Sequence, residues 1–505
     1  MLVPIDPPPG VLRQATTYQA GGAVTDGFGG AGATQPRWTG ASLVRWYGRQ
    51  LGPIGGWRRR SDEAVSGKAR AIVTWKTLSV ARWIGIGTHT NLYVQTPAGQ
   101  LYDITPADFV AGAADESVQA GFGLGLYGAA GFGTPRLDTG SDTPALVWDL
   151  DIWGEDLVAC ASSDGRLVQW TLDTGTPAAA IAGAPTGCLG VVVTEQGFAM
   201  ALGAGGDARK IRWSAQADIT DWTPSATNQA GEVDLVTPGA IVRGLKLGPM
   251  VLVLTDTDAH AGRYQGLPYV YVFERVGYGC GAMSKGCVVT MGPQAVWWSK
   301  SGFWIFDGSA RAIECEVFDF LTRDLNAGQK SKISGFHNAQ YGEAWWFYPS
   351  SASVENDSYV CWDYRRGHWN IGSLSRLCAT EPSVFKWPLA VDAAGHCHEH
   401  EVGSAYDGAA IWAQTGPVEL GGGDRLMACD GLVADLSSEG AASFSFSAQP
   451  WPDGAASTVG VTPGADGRGF ARFEGRQTQM RVDFEPNGAA RLGRVRLELS
   501  PAGRR

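Results

Sequence analysis

The feature that most constrains the fold is a run of aromatic residues between positions 339 and 372. Four rings are consecutive there, at Trp345, Trp346, Phe347 and Tyr348. Successive side chains of a β-strand point to opposite faces of its sheet, so this strand carries large rings on both faces. A half-solvated strand alternates apolar with polar residues, whereas this pattern indicates a sheet covered on both sides. Short antiparallel sheets stacked around an axis meet that requirement, and we therefore predict a β-propeller.

The same run continues into a second strand and a tight turn. In residues 359–364 successive side chains point to opposite faces of the strand, and a short turn follows at 365–367. Pairs of strands joined by glycine-containing turns recur from Trp38 to about Trp412, at intervals of about 40 to 65 residues. That is the scale of a four-stranded propeller blade, and about six to eight blades fit the length.

The composition is typical of a turn-rich β protein and not of a nucleic-acid coat. The 505 residues include 70 Gly, 26 Pro and 20 Trp, and only 18% of them are charged. Such a chain is too hydrophobic to be disordered, and its glycine content is about twice the average. The net charge of −10 argues against a general nucleic-acid coat, which is basic. In a ring of copies, an acidic lumen would repel DNA and let it slide past.

Two further patterns concern export and cysteine chemistry. The N-terminus MLVPIDPPPG has neither a basic nor an apolar signal-peptide region, and no apolar run reaches the length of a membrane span. We therefore expect no signal peptide and no membrane insertion. The nine cysteines contain no C-x-x-C pair, which predicts reduced and mostly buried thiols. Pairing of Cys280 with Cys287 across a turn is the alternative.

Changes of composition along the chain predict three parts. Residues 1–36 are rich in Pro and Gly and are interpreted as an extended N-terminal arm, with a frayed terminus as the alternative. Residues 37–412 hold the β-propeller with its insertions. Residues 413–505 alternate with period two, which predicts a C-terminal antiparallel, sandwich-like β domain or an antiparallel sheet packed on a partner. The best helix candidate is 316–332, where apolar residues recur at three- and four-residue spacing, and we expect it to end near Ala327–Gly328.

Arginines cluster in two stretches, which we interpret as interface candidates. Three are consecutive at Arg58, Arg59 and Arg60. The C-terminal candidates are Arg491, Arg494, Arg496, Arg504 and Arg505. Exposed arginines suit salt-bridged protein contacts, which we favour over direct contact with nucleic acid.

No motif in the chain predicts a catalytic site or a cofactor. The G-x-G-x-x-G pattern at 123–128 is followed by AAGFGTP, which cannot form the helix that a dinucleotide site needs. His396, His398 and His400 share one face of a strand, so two of them could hold a metal, but no third ligand is identifiable nearby. Residues 214–223 partly resemble an Asp-box turn, in which Asp and Thr bond their own backbone. We predict no catalytic residue, no cofactor and no dedicated metal site.

A series of segments in fixed order resembles one protein family. The segments are IRWSAQADITDWTP (211–224), LVLTDTDAHAGRYQGLPYVYVFERVGYGCG (252–281), WWSKSGFWIFDG (297–308), EVFDFLTRDLNAGQKSKISGFHNAQYGEAWWFYPS (316–350) and EGRQTQMRVDFEPNGAARLGRVRLELSPAGRR (474–505). From about Thr88 to the end, their order resembles the packaged-DNA stabilisation, or tail nozzle, proteins of short-tailed bacteriophages. The loop AGFGLGLYGAAGFGTPR (120–136) is similar to a glycine–tyrosine loop of that family.

The resemblance implies a virion structural protein with a β-propeller and no catalytic residues. It implies a homohexameric ring below the portal and its adaptor, which continues the DNA channel and retains packaged DNA until ejection. The implied partners are other copies of the chain and the portal–adaptor proteins, with tail fibre or needle proteins as further candidates. We expect the arm (1–36), the basic stretch 37–82 and the C-terminal domain (413–505) to dock against neighbouring subunits or the adaptor. Contact with packaged double-stranded DNA is expected to be transient and non-specific. The implied location is the virion tail, after synthesis in the host cytoplasm.

Two other classes of function stay open at the level of sequence. A carbohydrate-active propeller, such as a sialidase or depolymerase, would need carboxylates or arginines that converge in one pocket. A cellular propeller that serves as a protein-binding scaffold would stay monomeric with or without a portal–adaptor complex.

Overall fold

The fold is mainly β, as the sequence predicts, and it has two parts: a propeller, and a β-sandwich built from both ends of the chain. The computed structural model describes residues 2–503 except 16, 25–34, 119–141, 226, 421–422, 424–425, 438–441, 452–453 and 487–488. The glycine-rich pattern at 123–128 and the terminal Arg504 and Arg505 therefore lie outside the described residues.

The chain begins with strands that belong to the sandwich. These are β1 (Leu2–Ile5), β2 (Ala23–Val24), β3 (Trp38–Ser42), β4 (Val44–Tyr47) and β5 (Gln50–Pro53), with helix α1 (Thr17–Gly21) between the first two. β1 pairs with the last strand of the chain, and the side chains of Val3, Ile5 and Val11 are buried in the core. The described part of the predicted N-terminal arm thus packs on its own chain, because apolar residues between its prolines give it a face to bury.

Seven four-stranded antiparallel sheets form the propeller within the described ranges. Ahead of the first sheet comes β6 (Trp57–Ala64). The first sheet contains β7 (Ala69–Lys76), β8 (Arg82–Thr88), β9 (Leu92–Gln95) and β10 (Leu101–Asp103), and a ribbon of β11 (Ser117–Val118) and β12 (Asp142–Thr143) follows. The second contains β13 (Trp148–Trp153), β14 (Asp156–Ala161), β15 (Leu167–Trp170) and β16 (Ala179–Ala180). The third contains β17 (Gly190–Val193), β18 (Ala199–Leu202), β19 (Lys210–Trp213) and β20 (Gly231–Asp234).

The remaining sheets follow in sequence order. The fourth contains β21 (Ile241–Leu247), β22 (Met250–Thr255), β23 (Asp258–Gly266) and β24 (Val270–Tyr278). The fifth contains β25 (Val288–Met291), β26 (Gln294–Ser299), β27 (Gly302–Phe306) and β28 (Ala310–Ile313), and helix α2 (Phe318–Asp324) follows it. The sixth contains β29 (Ser334–Asn338), β30 (Glu343–Tyr348), β31 (Ser358–Asp363) and β32 (His368–Ser373). The seventh contains β33 (Cys378–Thr380), β34 (Leu389–Val391) and β35 (His396–His400).

The seventh sheet is completed by the strand that precedes the first. β6 adds to β35 as the outermost strand, with Trp57 opposite His400 and Arg59 opposite His398. The innermost strands of most neighbouring sheets contact one another, and the outer strands β24 and β28 join the fourth sheet to the fifth. β33 of the seventh sheet also contacts β7 of the first. Backbone hydrogen bonds between an early strand and the last sheet therefore close the ring, which hides sheet edges that would otherwise be open. The seven sheets fall within the range expected from the length.

The aromatic run lies in the sixth sheet and is buried on both faces, as its pattern predicts. All six residues of β30 are buried. On one face, the ring of Trp346 packs 4.8 Å from that of Phe303 in the fifth sheet, and its Nε1 donates to Cys287 O at 2.7 Å. On the other face, the ring of Trp345 lies 4.6 Å from that of Tyr359. The contacts of Trp346 hold the sixth blade against the fifth, and that of Trp345 packs the sixth blade internally.

The C-terminal strands form the rest of the sandwich. They are β36 (Ile411–Leu420), β37 (Leu426–Leu436), β38 (Ala442–Gln449), β39 (Ser457–Val461), β40 (Arg468–Gly475), β41 (Gln477–Phe484) and β42 (Leu492–Gly503). One sheet contains β1, β4, β5, β37, β40 and β42, and the other contains β2, β3, β36, β38, β39 and β41. Buried residues alternate along β38, and the rings of Phe446 and Phe473 meet across the two sheets at 5.5 Å. This period-two alternation is the pattern that predicted a sandwich.

Two boundaries differ from those expected. The strands of residues 38–53 pair with the C-terminal strands rather than with the propeller, because β3 adds to β36 and β5 contacts β42. Helix α2 ends at Asp324, shortly before the expected end near Ala327–Gly328, and a separate 3₁₀ helix spans Ala327–Lys332. Asn326 interrupts the run: its backbone is extended, and its side chain accepts a hydrogen bond from Gly328 N at 3.2 Å.

The structure also tests the expectations about the cysteines and about membrane-spanning helices. All nine cysteines are buried and free, so the prediction of buried thiols is confirmed and the Cys280–Cys287 pairing is not formed. Burial raises the pKa of the Cys188 thiol to about 12 and that of Cys280 to about 11. None of the described helices combines the length and apolar character needed to cross a membrane.

Candidate functional site

The centre of the propeller is nearly filled, and charged groups there are paired. Residues of the innermost strands surround a cavity of about 70 Å³ on the axis, lined by Asp149, Arg243 and Lys285 among others. Asp149 Oδ2 lies 3.4 Å from Lys285 Nζ, and Arg243 Nη1 donates to Lys285 O at 2.7 Å. Gly190 leaves room for this pair, because a Cβ there would lie 1.8 Å from the Asp149 carboxylate. The axis is thus a packed, ion-paired centre and not an open pocket.

Acidic side chains near the axis join different sheets of the propeller. Asp151, on the same face of β13 as Asp149, accepts a hydrogen bond from Val193 N of the third sheet at 2.7 Å. Burial raises the pKa of the Asp151 carboxyl. Glu355 forms a bidentate pair with Arg70 of β7, with N–O distances of 2.7 and 2.8 Å. These carboxylates are engaged in structural contacts, so they do not form the free pair that a glycosidase uses.

A larger cavity, of about 420 Å³, lies at the seam where the ring closes. It is a groove between the outermost strand β6, the turn before β8 and the loop before β34. We call it the closure groove, and its lining residues are Arg58, Arg60, Val80, Ala81, Arg82, Pro97, Phe385, Lys386, Trp387 and Glu399. It exists only because ring closure brings the first and seventh sheets side by side.

Two arginines of the closure groove share one carboxylate. Arg58 Nε donates to Glu399 Oε2 at 2.8 Å, and Arg60 Nη1 donates to Glu399 Oε1 at 3.0 Å. They meet there because alternate residues of β6 face the same side, and Glu399 lies opposite Arg58 in the β35 ladder. Arg59, between them, faces the other side and is exposed.

The other two cations of the groove lack a carboxylate partner among the residues that the structure describes. Arg82 is exposed and its side chain forms no ion pair there. Lys386 Nζ lies 4.5 Å from the centroid of the Trp387 ring, and the Arg60 guanidinium lies 4.4 Å from that of Phe385. Aromatic faces attract cations and restrict their motion. Four cations and one carboxylate give the groove a formal charge of about +3, in a chain that carries −10.

The C-terminal arginine candidates lie on the sandwich instead of at the seam. The Arg491 guanidinium stacks 3.7 Å from the centre of the Tyr47 ring. Arg494 Nη2 pairs with Asp6 Oδ2 at 2.7 Å, and Arg496 lies in β42 beside β1. The first two therefore contact their own chain, and the structure does not bring this set together with the arginines of β6.

Two of the three histidines of β35 contact the same carboxylate, and the third contacts an arginine. His398 Nε2 lies 2.9 Å from Asp392 Oδ2, and His396 Nδ1 lies 3.7 Å from the same atom. His400 Nε2 accepts a hydrogen bond from Arg376 Nε at 2.8 Å. Burial, and after it the charge of Arg376, lowers the pKa of His400 well below its usual value, so the ring stays neutral. Within the described residues, no group of three or more His, Cys, Asp or Glu side chains is arranged to hold a metal ion.

The Asp-box-like segment at 214–223 fixes its own backbone, which confirms the structural reading of that pattern. Asp218 Oδ1 accepts hydrogen bonds from Thr220 Oγ1 at 2.7 Å and from Thr220 N at 2.9 Å. These two bonds lower the pKa of the Asp218 carboxyl. The turn therefore shapes the loop after β19.

A buried ion cluster joins the sandwich to the propeller. Arg45 Nη2 of β4 lies 2.7 Å from Glu343 Oε2 and 2.6 Å from Glu401 Oε1, and the three side chains are only 4–5% exposed. Burial by itself lowers the pKa of Arg45, but the two carboxylates outweigh it and hold that pKa well above its usual value. The ring of Tyr341 lies 3.6 Å from the guanidinium. The two parts of the fold are thus fixed to each other by paired charge.

Two arginines of the closure groove, Arg58 and Arg60, are among the interface candidates that the sequence identifies. Arg45 and Arg82 lie in the basic stretch 37–82 but are not identified individually there, and Lys386 is missed. Phe385, Lys386 and Trp387 alternate aromatic with basic residues, which is a local signal that could have identified their part of the groove. The two carboxylate partners of Arg45 lie 298 and 356 positions away, so no local pattern indicates them.

Comparison with known proteins gives a fold likeness only. The sequence matches no family model and no curated protein. Virginiamycin B lyase from Staphylococcus aureus is 7% identical, with a TM-score of 0.40 over 68% of this chain and 97% of that one. The N-terminal domain of Nup159 is 8% identical, with a TM-score of 0.37 over 68% and 95%. A fungal alcohol oxidase is 10% identical, with a TM-score of 0.41 over 89% and 100%. At these TM-scores the propeller assignment rests on the strand pairing above, and no activity follows.

Proposed function

We propose that the chain is a virion structural protein that assembles into a ring in the tail of a short-tailed bacteriophage. In that ring it continues the DNA channel below the portal and adaptor and retains packaged DNA until ejection. The observation that carries the proposal is the position of the segments that resemble tail nozzle proteins.

Those segments occupy successive elements in both parts of the fold. They fall in the third sheet (211–224), the fourth (252–281), the fifth (297–308), the link to the sixth with its first two strands (316–350), and the last two strands of the sandwich (474–505). The resemblance therefore covers four of the seven sheets and the last two strands of the sandwich and not a single repeated blade, and this extent supports the proposal.

The geometry of the propeller axis determines where DNA would pass. A cavity of about 70 Å³ cannot admit a DNA duplex, and its charges are paired. In this proposal the channel therefore lies between subunits, on the axis of the ring. The buried contacts of Arg45 support the same role, because a ring subunit needs its two parts held in one orientation.

The axial carboxylates also bear on the enzyme alternative. Asp149 pairs with Lys285, and Asp151 accepts a backbone hydrogen bond from the next sheet. A glycosidase keeps two carboxylates free to act on substrate. These contacts favour a structural protein over a carbohydrate-active one.

Reconstitution with the portal–adaptor complex of the same phage tests the proposal. Mass photometry of the purified chain mixed with that complex should show a hexamer added to each complex. A chain that stays monomeric with and without the complex would contradict the proposal and favour the cellular scaffold.

A further inference from the structure

We infer that the closure groove is a docking site for an acidic peptide segment of a partner protein. Glu399, a residue of the chain itself, already occupies part of this site. The biological setting of the inference rests on the proposed assembly role, whereas its chemistry depends on the groove alone.

The first argument is charge. The groove carries about +3 in a chain with a net charge of −10, so its basic character is local and not a property of the whole surface. The Arg58 side chain is 64% exposed, and Arg82 and Lys386 are exposed as well, so the charge is accessible to a ligand. An excess of accessible cations favours an anionic partner.

The second argument is that a carboxylate already fits between the arginines. Glu399 accepts from Arg58 at 2.8 Å and from Arg60 at 3.0 Å. Charge-assisted bonds of this length are the strong class of hydrogen bond. Arg82 and Lys386 line the same groove and have no carboxylate partner among the described residues, so they are available to a second carboxylate while Glu399 stays in place. The groove thus suits a ligand with several carboxylates.

The third argument concerns shape and the walls of the groove. A cavity of about 420 Å³ accommodates a few side chains and not a folded domain, which favours a peptide segment. Phe385 and Trp387 offer apolar contact for the methylene groups of Glu side chains. They also hold Arg60 and Lys386 in place over their rings, which reduces the entropy lost on binding.

The fourth argument distinguishes a peptide from DNA. Across the described residues no strand pairs with the outer edge of β6, so an extended segment can lie along it beside the arginines. A duplex needs an extended basic surface to gain from counterion release, whereas the four cations here are confined to one groove. A short concave groove suits a peptide segment and does not offer the surface that a duplex needs.

Fluorescence anisotropy of the full chain with a fluorescein-labelled decapeptide of alternating Glu and Ala tests the inference at physiological salt. We expect saturable binding, which Arg58→Glu with Arg82→Glu weakens at least about tenfold. Glu399→Gln should tighten it, because it removes the competing carboxylate. Arg59→Glu is the matched control: it changes the net charge on the same strand but faces the other side, and it should shift the Kd by less than about twofold.

Several outcomes would overturn the inference. One is that the peptide does not bind, and another is that Arg59→Glu weakens peptide binding as much as the double variant does. A third is that a labelled DNA duplex binds more tightly than the peptide and loses this binding in the double variant. Loss of self-association in the double variant, with no peptide binding by the wild type, would assign the groove to a second copy instead. Thermal melts of each variant establish that the fold is intact. Peptide binding by a chain that never joins a portal–adaptor complex would leave the groove assignment standing and remove only the proposed function.

Discussion

Two charged regions of the molecule differ in how their arginines are balanced by carboxylates. At the junction of sandwich and propeller, Arg45 is 4% exposed and contacts two carboxylates. At the seam, only two of the four cations contact a carboxylate, and Arg58 is 64% exposed. A buried charge must be compensated inside the fold, whereas an exposed one is compensated by water. The junction therefore serves stability, and the closure groove keeps charge available for a partner.

The largest effect is expected at the junction. Arg45→Ala leaves two buried carboxylates without their cation, so we expect it to lower the free energy of unfolding by about 3–5 kcal/mol. Urea denaturation followed by tryptophan fluorescence measures the change. Arg45→Lys serves as the control that keeps the charge and should lie between the variant and the wild type. An unchanged urea midpoint in Arg45→Ala would remove the distinction between the two regions.

A smaller effect is expected where the seam itself is buried. Trp57, adjacent to Arg58 on β6, is 3% exposed, and its Nε1 donates to Asp407 Oδ2 at 2.5 Å. Trp57→Phe removes that donor from a buried site and should cost about 1–3 kcal/mol. Chemical denaturation of the variant, compared with Trp451→Phe at an exposed position, measures it. Equal stability of the two variants would mean that the buried hydrogen bond of Trp57 does not stabilise the seam.

The seam should also be sensitive to acid. The folded pKa of His400 is lowered, so the unfolded chain takes up a proton near pH 6.5 that the folded chain refuses. This contribution to stability is complete above about pH 6.5 and is lost as the pH falls below it, at up to about 1.4 kcal/mol per pH unit. His400→Gln can still accept from Arg376 and should flatten the dependence. Unfolding curves between pH 5 and pH 8 that are parallel for both proteins would contradict the assignment.

The smallest effect is expected in the closure groove. Arg58→Ala removes an exposed ion pair with Glu399, and such pairs contribute at most about 1 kcal/mol. The stability of this variant should be close to that of the wild type in the same urea titration used for Arg45→Ala. A loss as large as that of Arg45→Ala would show that the groove is structural, and its role in docking would fall.

The parts of the fold that sequence could reveal are those encoded locally. The consecutive aromatic residues at Trp345–Tyr348 indicate a strand buried on both faces, and the alternation of apolar and polar residues in 413–505 indicates a sandwich. Both follow because successive side chains of a strand point to opposite faces of the sheet, so the spacing of apolar residues shows which faces are buried. Ring closure by β6 and the pairing of β1 with β42 join distant positions, and a single sequence holds no local signal for them. The closure groove could not be predicted from local sequence either, because only ring closure brings Arg82 and Arg58 into one groove.

Electron microscopy of the native particle tests the central claim most directly. The account predicts a ring of six copies below the portal and adaptor, each with a seven-sheet propeller fixed to its sandwich, and DNA density on the axis of the ring between subunits. Absence of the chain from the tail would contradict the account, and so would DNA density along the axis of a propeller.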